Sequence, residues 1–132
     1  MSSFKFKLFL PVILWALVIV LLSGFPGNKV PDVPLWNFDK LVHVGMYAPL
    51  SFLLLFALNP QYPKQKNRYL TICFVVVSCV FYGGIMEILQ HYIFINRSGN
   101  IYDFLANAIG SIIGVFIHPY IIKLLPIQKW WN

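Results

Sequence analysis

Acidic residues are scarce in this chain. Four Asp/Glu stand against ten Lys/Arg in 132 residues, and charged side chains make up only 11%. A soluble fold of this size must clothe a large surface in polar groups, and so few charges cannot do it, which excludes a soluble enzyme. Cysteine is scarce too: Cys73 and Cys79 lie in a single apolar stretch, where one helix would not bring them together. That excludes a secreted disulfide scaffold and leaves both as expected buried thiols. No run of five or more like charges and no stacking-aromatic motif occurs, so the net charge of +6 does not mark a nucleic-acid binder.

Long apolar runs are what the chain has instead. It is 59% apolar, with a mean hydropathy of +0.74. Four membrane spans of about 20 residues each would take up a similar share of its length. The expected fold is therefore all-α: an integral-membrane four-helix bundle forming one domain over 1–132, with spans at about 8–25, 41–58, 69–93 and 101–125. The first run follows Lys5 and Lys7, and no A-x-A-like site succeeds it, so it reads as an uncleaved span rather than a signal peptide. Pro26, Pro31 and Pro34 break up the first linker, Asn59-Pro60 closes the second span, and Pro126 stops the fourth.

Loop charge orients the bundle. With the N-terminus inside, Lys5, Lys7, Lys64, Lys66, Arg68, Lys123 and Lys129 lie on the inner side, and only Lys29, Lys40 and Arg97 on the outer. This bias predicts an N-in/C-in arrangement with Trp130 and Trp131 as an inner interfacial anchor.

Three of the four carboxylates fall inside or at the lip of a span. Asp39 and Lys40 open the second span, Glu87 and Gln90 lie near the end of the third, and Asp103 opens the fourth. Under the four-span topology all these positions share the outer face. Asp39, His43 and Tyr47 step by four along one helix face, as do Asp103, Asn107 and Ser111. An ionised group facing lipid at mid-span costs roughly 3 kcal/mol, so the faces are expected to turn toward one another and form a polar pocket. Gly83-Gly84 and the Gly110-x-x-x-Gly114 pair offer small surfaces for close helix approach.

Competing readings stay open at several positions. Asp103 or Asp39 could simply cap a helix, and Lys40 or Arg97 could be head-group anchors. Capping fails for Glu87, because a negative charge late in a helix opposes the dipole. Asp39–Lys40, Glu87 and Arg97–Asp103 could also serve only to lock helices together. A metal centre from His43, Glu87, His91 and Asp103 is disfavoured because no HExxH-type pair occurs, and neither metal nor cofactor is expected.

Asp39-Lys40-Leu41-Val42-His43-Val44-Gly45-Met46-Tyr47 resembles the D-K-x-x-H-x-x-x-Y segment of VanZ-like membrane proteins. Gly84 through Gln90 resembles their G-x-x-E-x-x-Q helix. Arg97 followed by Asp103, Asn107, Gly110 and Gly114 resembles their R…D-x-x-x-N-x-x-G segment, and Pro26-Gly27…Pro31 fits their first outer loop. The resemblance implies a multi-pass cell-membrane protein of a family named for an accessory role in resistance to glycopeptides, especially teicoplanin. It implies no substrate.

Together these readings point to recognition or modification of an anionic lipid or lipid-linked envelope precursor at the outer face. Arg97, with Lys40, would bind phosphate, and Asp103 and Asn107 would orient that arginine or a head group. Gln90, Asp39 and Tyr47 complete the binding set, while Glu87, His43 and Asp103 would carry any proton transfer. Reaction type is open, since no nucleophile motif or phosphate loop is present. The alternative is non-enzymatic translocation of a lipid or amphiphile, or an accessory role in envelope assembly.

Overall fold

Hydropathy long enough to cross a bilayer becomes four helices in the computed structural model, which describes residues 3–26, 36–58 and 66–126. They are α1 (Ser3–Ser23), α2 (Trp36–Leu58), α3 (Arg68–Tyr92) and α4 (Ile101–Leu124). Each is long and apolar enough to span a membrane, and large apolar side chains such as Leu21, Phe81 and Phe116 cover the outside of the bundle. The chain is a multi-pass membrane protein. Helix α2 begins at Trp36, ahead of Leu41, so Asp39 and Lys40 lie in its first turns. Pro31, Pro34, the Asn59-Pro60 stop, Lys129 and the Trp130-Trp131 anchor lie outside the described residues, as do Lys29 and Lys64.

Local chemistry sets the ends of α4. Asn100 is extended (φ −131°, ψ 127°), and its side chain accepts a hydrogen bond from the Tyr102 amide, so Asn100 is the N-cap rather than Asp103. Leu125 at the other end is extended too, as the residue before a proline prefers.

Helix α2 is the centre of the bundle and packs most extensively on α4, with α1 and α3 flanking it. The α2–α4 contact follows from Gly110 and Gly114. A Cβ at Gly110 would stand 2.6 Å from the Val44 carbonyl oxygen, and one at Gly114 would collide with the Ala48 carbonyl and Ser51 Oγ. Bare glycine faces let the two backbones meet. Side-chain bonds to backbone tie helix α1 on, two of them along its middle. Trp15 Nε1 donates to the Met46 carbonyl at 2.8 Å, and Tyr82 Oη donates to the Ala16 carbonyl at 2.8 Å. Ile19, Leu50, Leu55, Val75 and Met86 fill the apolar interior. Of the two cysteines only Cys79 is buried. Cys73 is exposed on the outer face of α3, contrary to expectation, because a thiol is apolar enough to lie against lipid.

Candidate functional site

The start of α2, the end of α3 and the start of α4 meet at one end of the bundle. The register set by Gly110 against Val44 turns the Asp39–His43–Tyr47 stripe of α2 toward the Asp103–Asn107–Ser111 stripe of α4. His43, Tyr47, Asp103, Asn107 and Ser111 are all buried as a result.

A continuous set of polar contacts runs through this end. Glu87 Oε2 accepts the Asn100 backbone amide at 3.1 Å, and its Oε1 accepts Asn107 Nδ2 at 3.4 Å. These donors offset the unfavourable place of a carboxylate late in α3. Donation to Glu87 fixes the Asn107 amide so that its Oδ1 faces His43 Nδ1 at 2.8 Å. The imidazole must donate there, which puts the lone pair of a neutral His43 on Nε2. Nε2 in turn faces Asp103 Oδ2 at 3.8 Å, while Nδ1 lies 4.0 Å from Glu87 Oε1. Asp103 Oδ1 pairs with Lys40 Nζ at 3.2 Å across the α2–α4 seam.

This pairing bears on two readings that the sequence left open. Asp103 engages Lys40 and not Arg97, because both side chains lie on the α2–α4 contact while Arg97 belongs to the loop after α3. Lys40, most of its side chain buried, is therefore a member of the cluster rather than a free head-group anchor. His91 entered only the disfavoured metal reading. It is exposed on α3 with its ring against Tyr92 and lies along the apolar groove beside Glu87, one turn beyond it, outside the polar cavity.

The remaining residues frame a polar cavity of about 170 Å³. Asp39, His43, Gln90, Arg97, Asn100 and Asp103 line it, with Asn96 and Ser98. Gln90 Nε2 donates to the Ser23 carbonyl at 3.3 Å, closing the α1 side. Arg97 reaches only the Leu22 carbonyl, at 3.5 Å, and its Nε is buried without a hydrogen-bond partner among the described residues. Tyr47 lies beneath the cavity rather than in its wall, buried beside Tyr82, with no hydrogen-bond partner for its hydroxyl among the described residues. On the other side of Asn100 is an apolar groove of about 340 Å³, walled by Gly84, Ile88, Tyr92 and Phe104 and reached by Glu87.

Sequence reasoning overlooked several contributors. Asn100 acts through its backbone amide, which no residue type announces. Gly99 lies where a Cβ would be 2.7 Å from the Glu87 carbonyl, and Asn96 takes a left-handed φ of 54° that asparagine tolerates; both bring the loop back over α3. His118 is fully buried against the rings of Phe52 and Phe56 and continues the polar stripe of α4 seven residues beyond Ser111. It sits roughly 22 Å along the helix from Asp103, so it belongs to the opposite end of the bundle.

No curated protein and no solved structure gives a significant match to this chain. The model of the VanZ/LLP1 family does match, over residues 6–123. That stretch takes in all of the motif residues whose positions have just been described and reaches from the first helix into the last turns of the fourth. The chain therefore belongs to the VanZ/LLP1 family.

Proposed function

We propose that this protein captures the anionic head group of a membrane lipid or lipid-linked envelope precursor at the extracytoplasmic face, with Arg97 as the phosphate-binding residue. The supporting observation is the state of charge around the cavity. Lys40 and Asp103 neutralise each other, whereas Arg97 has no carboxylate within ion-pair distance among the described residues. A guanidinium partly withdrawn from water without a counter-ion is unfavourable, and a phosphate would relieve it through charge-assisted, bidentate hydrogen bonds. The neighbouring apolar groove suits an amphiphile, whose chain would run along Ile88 and Phe104 while its head group enters past Asn100.

In this reading Gln90, Asn107, Asp39, Lys40 and Tyr47 shape and support the binding site. Glu87, His43 and Asp103 form the set that would move a proton on a bound group. The loop-charge bias supports the outward-facing orientation. An influence on teicoplanin sensitivity would follow from engagement of an envelope precursor.

The test is lipid capture by the full-length protein in nanodiscs, read by native mass spectrometry with phosphatidylglycerol and a polyprenyl phosphate as probes. Arg97→Ala should lower capture by about 10- to 100-fold, the equivalent of losing one or two charged hydrogen bonds. Arg97→Lys should restore part of it. Equal capture by the wild type and Arg97→Ala would refute the proposal.

A further inference from the structure

The polar end of the bundle poses a charge problem for any anionic ligand. Among the described residues Asp39, Glu87 and Asp103 stand against Lys40 and Arg97, so with an uncharged imidazole and all three carboxylates ionised the site is negative overall. Within it, two acceptors confront each other. The Glu87–Asn107 bond holds the asparagine amide, which commits His43 Nδ1 to donate and turns the Nε2 lone pair toward Asp103 Oδ2, 3.8 Å away. His43 is about nine-tenths buried, and among the described residues Nε2 has no hydrogen bond of its own. Asp39, one turn before His43 and at the exposed rim, completes a trio whose donor atoms all lie within 4.8 Å of one another.

We infer that Asp39, His43 and Asp103 form a binding site for a divalent transition-metal cation of the Zn²⁺ or Mn²⁺ type. One imidazole nitrogen and two carboxylates are a donor set for these ions. The 3.8 Å between Nε2 and Oδ2 needs only a small closure to reach the roughly 3.4 Å separation of tetrahedral ligands. Asp103 divides its oxygens, with Oδ1 on Lys40 and Oδ2 left toward the ion. Asn107 holds the far side of the ligating imidazole in the way outer-shell groups do, itself held by Glu87. The exposed Asp39 supplies the point of entry from the cavity. A bound dication would turn the net charge of the site positive. Its role as a bridge to the phosphate of a head group rests on the function proposed above; the ion site itself does not.

The experiment is metal analysis and titration of the purified full-length protein in nanodiscs, with Zn²⁺ and Mn²⁺ added singly and Mg²⁺ as the comparison ion. The expected result is one equivalent of Zn²⁺ or Mn²⁺ per chain. Affinity should fall by at least about tenfold in Asp39→Asn, the exposed ligand whose loss spares the packing, and in Asp103→Asn. Mn²⁺ bound to the wild type should show nitrogen hyperfine coupling that His43→Gln abolishes. Failure of the wild type to bind an equivalent, or affinity unchanged by Asp39→Asn and Asp103→Asn, would overturn the inference. Lipid capture keeps the two readings distinguishable. Arg97-dependent capture by a protein that binds no ion would leave the head-group reading standing and the metal site refuted. Ion binding without capture would do the reverse.

Discussion

Glu87→Gln is expected to reduce head-group capture by about 10- to 100-fold while leaving protein level and membrane topology intact. The carboxylate receives two donors, the Asn100 amide on one oxygen and Asn107 Nδ2 on the other. A glutamine of the same shape has a single acceptor oxygen, so in either orientation its NH₂ faces one of those donors. Losing one bond and opposing two donors costs about 1–3 kcal/mol, which a bundle of this size can absorb. The functional effect is larger because the defect propagates. Once Asn107 is free to turn its amide, His43 loses the acceptor that fixes its ring, and the face it presents to Asp103 is no longer defined. Capture measured in nanodiscs, beside quantification of folded protein, separates the outcomes. Unchanged capture would remove Glu87 from the site, and loss of the folded protein would make its role structural.

Gly114→Leu is expected to have the largest effect on folding. At this position the obstacle is the Ala48 carbonyl as well as Ser51 Oγ, and backbone cannot swing aside as a side-chain tip can. The α2–α4 seam would have to open, and because α2 is the helix that the other three pack on, the cost should exceed about 3 kcal/mol. The same opening would separate Lys40 from Asp103 and His43 from Asn107, so capture should be lost with the fold. Gly45→Ala is the control. Among the described residues no atom lies within 4 Å of a Cβ there, so the change should be neutral or stabilising by up to about 1 kcal/mol. Thermal unfolding of the two variants in the same detergent would show whether glycine at 114 is a packing requirement.

What could be read from the sequence was whatever helical periodicity carries. Steps of four along Asp39–His43–Tyr47 and Asp103–Asn107–Ser111 are properties of one helix each, and the aversion of charge to lipid was enough to turn them inward. Partner choice was another matter. Whether Asp103 meets Arg97 or Lys40 depends on the rotation and separation of α2 and α4, and those are set by backbone contact at Gly110 and Gly114. The glycine spacing was visible, but the residues it would face were not. Asn100 was hidden for a different reason: it acts on Glu87 through a main-chain N–H that every residue except proline possesses. Spacing alone could not separate His91 from Asp39, each four residues from a cluster member; His91 borders the apolar groove and Asp39 the polar cavity because of how α3 and α2 are placed in the bundle. His118 could have been found by carrying the α4 stripe two turns further, seven residues past Ser111.

The convergence of three helices at one polar end can be tested most directly by cross-linking in native membranes. In a background lacking Cys73 and Cys79, cysteines would be placed in pairs at Lys40 with Asp103 and at Glu87 with Asn107, and treated with a short bifunctional thiol reagent. Leu105, exposed on another face of α4, would replace Asp103 as the reference position. Rapid linking of both pairs, with none between the cysteines at 40 and 105, is the predicted result. If the cysteine at 87 links to neither helix and reacts with lipid-soluble reagents as readily as one at the outward-facing Phe81, Glu87 faces the acyl chains and the polar site does not exist.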